Sequence, residues 1–96
     1  MSPEKQKKLN KLRNQLDSLD NSLIKLIKKR TEIVKKVLKL KEYKNQIVDK
    51  KRIKVIFKNI RKKSLKRKID TSVTKNIWKS MIRGFIKYEY KNFKKR

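Results

Sequence analysis

Cysteine, histidine and alanine are absent from this chain of 96 residues, and glycine and proline each occur only once. The absence of cysteine excludes a disulfide framework and a thiolate metal site. Because histidine is absent as well, zinc sites and Ser-His or Cys-His catalysis are excluded too. We therefore expect no bound metal, and any chemistry must come from charged and polar side chains.

Long apolar runs are also absent, which excludes a transmembrane helix. The N-terminal stretch is polar and has no hydrophobic region of the kind that a secretory signal needs. The length suits one small domain, so we expect residues 1–96 to form a single domain of a cytoplasmic protein with no membrane partner.

Acidic residues are few, because 8 Asp and Glu oppose 33 Lys and Arg and leave a formal net charge of +25. Such a charge first suggests a nucleic-acid-binding protein. However, 26 of the basic residues are Lys, and Lys, Asn and Ile all have AT-rich codons, so nucleotide bias accounts for much of the charge. The 7 Arg residues are more informative, because arginine offers a rigid, bidentate fork that lysine lacks.

The apolar residues recur at helical spacing, which predicts an all-α chain of three helices over residues 3–43, 49–64 and 71–93. Ser2-Pro3-Glu4 suits a helix start, Asp49 a second, and Asp70 or Thr71 a third. The first helix would be ~60 Å long, whereas a compact globule of this size has a radius of gyration of ~12–13 Å. Its apolar stripe must therefore be covered by another copy of the chain or by another protein.

Three charged residues interrupt the apolar pattern. Arg30 occupies a stripe position between Leu26 and Ile33, either as a polar specificity residue of a helical seam or as a cation that awaits an anion. Lys41 follows three helical turns later and faces nearly the same way, although such a lysine is usually a surface residue. Glu89 lies on the apolar stripe of the third helix, either as a salt-bridge partner or as an acid that burial keeps neutral and able to donate a hydrogen bond.

Two further cations complete a candidate pocket. Arg13 lies on the stripe that leads to Lys41. Arg52 lies in the first turn of the second helix, where it could also be an ordinary solvated residue. Together with Arg30 and Lys41, and with Glu89 opposite, they suit a small ligand with two carboxylates. No nucleophile has a base beside it, so the site either only binds or acts through positioning and electrostatics.

These residues resemble the all-helical (type II) chorismate mutase family over nearly the whole chain, from about Leu9 to Phe93. The resemblance rests on an ordered set of residues: Leu12-Arg13-Asn14-Gln15-Leu16-Asp17-Ser18-Leu19-Asp20, then Leu23, Ile24, Leu26, Ile27, Arg30, Val34, Val37 and Lys41, then Ile47-Val48-Asp49-Lys50-Lys51-Arg52, and finally Ile77-Trp78, Met81-Ile82 and Glu89.

The resemblance implies an intertwined helical homodimer that converts chorismate to prephenate, on the way to phenylalanine and tyrosine, without a cofactor. It implies that Arg30 binds a substrate carboxylate and that Arg13 binds one in the site of the partner subunit. It also implies that Lys41 and Glu89 are aimed at the ether oxygen of the substrate, where negative charge develops.

The remaining positions belong to the edge of the implied site. Asp49 and Arg52 match residues that flank the substrate hydroxyl and the pocket rim. Two positions depart from the family pattern. Ile53 stands where some members have Glu near the substrate hydroxyl, and Phe85 stands where many have Ser near a carboxylate.

Three alternative functions remain. An isochorismate-pyruvate lyase of the same fold would use the same cations. A basic helical nucleic-acid-binding protein would cluster its Lys and Arg on one face, whereas here they spread along all three helices, which favours at most non-specific binding. A bare dimerising coiled coil leaves the pair Arg30 and Glu89 unexplained.

Overall fold

The computed structural model describes residues 1–94, which contain three α-helices and one short 3-10 helix. Helix α1 spans Pro3–Leu40, α2 spans Lys50–Lys66 and α3 spans Thr71–Asn92, with the 3-10 helix at Lys44–Gln46. No strand occurs in this part of the chain, so the prediction of an all-α chain with a long first helix is confirmed. By its internal contacts the chain divides into two units, Met1–Ile33 and the part from Val34 onward.

Each helix begins where the sequence provides a capping residue. The Lys5 N–H donates to Ser2 Oγ at 3.3 Å, one residue before the start of α1. Asp49 caps α2 by accepting from the Arg52 N–H at 3.0 Å, and Asp70 caps α3 by accepting from the Ser72 N–H at 2.9 Å. Because a capping side chain satisfies N–H groups that lack a helical partner, these starts could be predicted locally.

The helix ends differ from the sequence expectations. Helix α1 ends at Leu40 rather than near Tyr43, because the Lys41 N–H bonds to Leu38 three residues back, at 3.2 Å. The N–H groups of Glu42 and Tyr43 donate to the side chain of Gln46 instead of to carbonyls of α1.

Helix α2 continues to Lys66, two residues beyond the predicted end at residue 64, and Ser64 is buried within it. The Ile69 N–H donates to the Ser64 carbonyl at 2.9 Å and the Lys68 N–H to that of Leu65 at 3.2 Å. This is the Schellman arrangement, which normally places glycine where Lys68 has a φ of 57°.

Within the second unit, α2 and α3 pack against each other after a connection of four residues. The Ser64 hydroxyl lies 2.6 Å from that of Thr74 and also donates to the Ile60 carbonyl, so both polar groups are satisfied where the two helices meet. Leu38 and Ile47 are the buried hydrophobic residues among the described part of the chain. The final part of α1 and the turn after it are thereby anchored in this unit.

Candidate functional site

The candidate site is built around Lys41, which follows the last residue of α1. Its ammonium donates to Glu89 Oε1 at 2.8 Å and to the Ile47 carbonyl at 3.3 Å. Side-chain exposure is 17 % for Lys41 and 8 % for Glu89, so the pair is largely removed from water. An ion pair in such surroundings attracts more strongly than one on the surface, and removal of either partner leaves an uncompensated buried charge.

Glu89 reaches this position because it lies near the end of α3, on the face that the helix buries. Phe85 and Ile86, one turn earlier on α3, are half-buried. The carboxylate accepts the hydrogen bond from Lys41. In the free chain Glu89 is therefore an acceptor, whereas a donor role toward a ligand would require it to carry a proton.

An open groove of about 660 Å³ lies beside Lys41. Its volume falls within the range of small-molecule sites, but such sites normally enclose most of their ligand and this groove is open to solvent. It is lined by the end of α1, the following turn and the first residues of α2: Val37, Leu40, Lys41, Asn45, Gln46, Val48, Asp49, Lys50 and Lys51.

The structure brings only some of the expected site residues together. Lys41 and Glu89 are in direct contact, and Asp49 lines the groove while its carboxylate caps α2. The Arg52 backbone makes that cap, and its side chain is exposed.

Arg13 and Arg30 belong to the first unit, where Arg13 is exposed and Arg30 is half-buried, so their part in the site stays a prediction. The same is true of Phe85. A second surface groove, of about 600 Å³, lies between α2 and α3 at Phe57, Ile60 and Thr74 and contains none of the expected residues.

Two contributors to the site were not identified from the sequence. The Ile47 carbonyl is a main-chain acceptor, which no side-chain pattern reveals. Gln46 accepts hydrogen bonds from two backbone N–H groups of the turn, at 2.7 Å and 2.9 Å. Its position three residues after Tyr43 is the spacing at which Glu or Gln reaches back to a helix start, and this was the available signal.

Neither a metal site nor a membrane-spanning helix was found among residues 1–94. No group of three or more acidic side chains there is arranged to hold a metal ion. None of the helices in that range combines the length and the apolar character needed to cross a bilayer.

Comparison with known proteins identifies the family. The family model described as chorismate mutase type II matches residues 12–90, which include both halves of the Lys41–Glu89 pair. No curated protein and no solved structure gives a significant match. The family indicates a chorismate mutase-type function, that of an isomerase. Because the match covers most of the sequence, the chain belongs to the type II chorismate mutase family.

Proposed function

We propose that this protein converts chorismate to prephenate, in the biosynthesis of phenylalanine and tyrosine, as a cytoplasmic enzyme without a cofactor. The observation that carries the proposal is the Lys41–Glu89 contact beside a groove of small-molecule size. The two residues are 48 positions apart, and both interrupt apolar faces. Because a buried ion pair is often no more stabilising than apolar residues of similar volume, its presence favours a role in binding or catalysis.

The Lys41 ammonium retains a donor for a substrate. It has three N–H donors, of which two are directed at Glu89 and the Ile47 carbonyl. The third is free to donate to the ether oxygen of chorismate, which gains negative charge as the C–O bond breaks. Because that charge is larger in the transition state than in the ground state, the interaction accelerates the rearrangement.

Arginine side chains would hold the two carboxylates of chorismate. We assign one carboxylate to Arg30 and the other to Arg13 of a second copy. Asp49 and Arg52 would lie at the rim near the substrate hydroxyl, and Phe85 would lie near a carboxylate. Bidentate guanidinium forks restrict the extended dianion to the chair-like reactive conformer and so reduce the entropic part of the barrier.

The exposed apolar stripe of α1 supports a homodimer. The first unit is a single helical segment, so it has no core of its own. Eight of its large apolar side chains are 42–65 % exposed, and a contiguous exposed apolar surface usually marks an interaction site. They are Leu12, Leu16, Leu19, Leu23, Ile24, Leu26, Ile27 and Ile33. A second copy would cover this stripe and would bring its own Arg13 to the open groove.

The decisive experiment measures prephenate formation from chorismate by the purified chain. We expect activity in the wild type and a loss of at least about 100-fold in Arg30→Ala, as for loss of a contact that positions the substrate for reaction. Arg83→Ala is the matched control, because it removes the same charge from an exposed position on α3. Equal activity of Arg30→Ala and Arg83→Ala would contradict the site assignment. Release of pyruvate from isochorismate, without prephenate formation from chorismate, would identify a lyase instead.

The role of Glu89 has a separate test. If Glu89 donates to the ether oxygen, Glu89→Gln should retain or raise kcat, because its amide can donate to a ligand and still accept from Lys41. A fall in kcat of Glu89→Gln would contradict the donor role. Glu89 would then act as the acceptor that orients Lys41.

A further inference from the structure

The turn between α1 and α2 is closed by one side-chain oxygen. Gln46 Oε1 accepts from the Glu42 N–H at 2.7 Å and from the Tyr43 N–H at 2.9 Å. These are the first N–H groups after Lys41, and neither has a partner in α1. The Gln46 N–H in turn donates to the Tyr43 carbonyl at 3.0 Å, so both the backbone and the side chain of Gln46 close the turn.

The shape of this turn determines where the Ile47 carbonyl lies. Ile47 is only 3 % exposed, and its N–H donates to the Lys44 carbonyl at 3.1 Å, so the residue is held from both its side chain and its backbone. Its carbonyl accepts from the Lys41 ammonium. The ammonium is therefore held by Glu89 from α3 and by the turn that Gln46 closes, and these two acceptors decide where its third proton points.

We propose that Gln46 is a positioning residue for Lys41, which it orients toward the substrate through the Ile47 carbonyl. This inference rests on the proposed function, because it assigns Lys41 a reacting partner. Gln46 uses only its oxygen in these contacts. An acceptor of the same length should therefore preserve the role, and a side chain of the same length without an acceptor should abolish it.

The test compares Gln46→Met with Gln46→Glu. Methionine has nearly the length of glutamine but lacks a strong acceptor, whereas the carboxylate of glutamate retains the oxygen. Gln6→Met is the matched control, because it makes the same chemical change at an exposed glutamine of α1. Steady-state kinetics with chorismate, the urea midpoint, and NMR of the Glu42 and Tyr43 amides and of the Lys41 side chain are measured for each variant.

We expect kcat of Gln46→Met to fall about 10- to 100-fold, since small misplacements of a reacting group have effects of that order. KM should change by no more than about twofold, because Lys41 acts mainly in the transition state. The Glu42 and Tyr43 amides should exchange faster with solvent, and the Lys41 side-chain resonance should shift. Gln46→Glu should retain kcat within about threefold at high salt, where its added charge is screened.

A wild-type kcat in a folded Gln46→Met variant would overturn the proposal, as would equal losses of kcat in Gln46→Met and Gln46→Glu. The first result would show that the turn does not orient Lys41, and the second that the acceptor oxygen is not what matters. If the wild-type chain forms no prephenate, the proposed function fails, and the NMR measurements still decide the positioning role. An unchanged Lys41 resonance in Gln46→Met would overturn it in that case.

Discussion

The Lys41–Glu89 pair allows a stability prediction that is independent of activity. Lys41→Met keeps the length of the side chain but removes the ammonium, which leaves the Glu89 carboxylate, 8 % exposed, without this partner. Breaking a buried ion pair costs about 3–5 kcal/mol, because the remaining charge is uncompensated. Since Lys41 is itself 17 % exposed, water can reach part of the site. We therefore expect the lower limit, a fall of about 3 kcal/mol in the free energy of unfolding.

Adding Glu89→Gln to Lys41→Met separates two contributions to the loss of stability: the uncompensated carboxylate and the lost hydrogen bond. In the double variant Lys41→Met/Glu89→Gln no carboxylate remains, and an amide is much cheaper to leave unpaired. We expect the double variant to recover about 2 kcal/mol of stability relative to Lys41→Met. Its mutase activity should nevertheless stay about 10²–10³-fold below the wild type, because the donor to the ether oxygen is still missing.

The assay is urea unfolding followed by circular dichroism at one fixed chain concentration, since the stability of a dimer depends on concentration. Prephenate formation is measured on the same samples. A Lys41→Met variant as stable as the wild type would refute the reasoning that the pair is buried and mutually compensated. A double variant no more stable than Lys41→Met would refute the claim that the stranded carboxylate causes the loss.

Four further measurements address the helices and the charge. Leu23→Asp should dissociate the proposed dimer in analytical ultracentrifugation, whereas Asn21→Asp on the opposite side of α1 should not, and a monomeric wild type would contradict the dimer. Hydrogen bonds from the Ser72 hydroxyl and N–H lower the pKa of Asp70 below its usual value of 3.8. The ionised cap therefore stabilises α3 fully above about pH 4, and this stabilisation is lost as the pH falls through the lowered pKa. The thermal unfolding temperature of Asp70→Asn should depend less on pH over that range than that of the wild type. Lys68→Gly should raise the free energy of unfolding by about 0.5–1 kcal/mol, because the left-handed conformation is unfavourable for lysine, and a decrease would show that other contacts of Lys68 dominate. The net charge of +25 should attract a dianion, so kcat/KM should fall as NaCl rises from about 20 to about 200 mM, and salt-independent kinetics would contradict steering.

Predictions from the sequence were most accurate where the interaction is local. Ser2, Asp49 and Asp70 each bond to an N–H two or three residues ahead, so their capping role needs no knowledge of the rest of the fold. Helix ends were less accurate, because the residues that end these helices are not the usual ones. The end of α1 depends on Gln46, and that of α2 on a lysine in the conformation usually taken by glycine.

The apolar periodicity identified apolar faces but not what covers each of them. Leu16, Leu19 and Leu23 follow the helical spacing, yet they remain more than half exposed, whereas Leu38 of the same helix is buried. A period of three to four residues reports only that an apolar surface exists. The neighbour that buries it is decided by how helices pack.

The all-helical class, the helix starts and the two charged residues that interrupt apolar faces, Lys41 and Glu89, could be predicted from the residues alone. Each of these depends on residues within a few turns of one another. The direct contact between these two charges, 48 positions apart, and the hydrogen bond from the ammonium to the Ile47 carbonyl are visible only in the folded chain. A long-range ion pair and a main-chain acceptor depend on how the turn after α1 and the end of α3 come together, which no local pattern encodes.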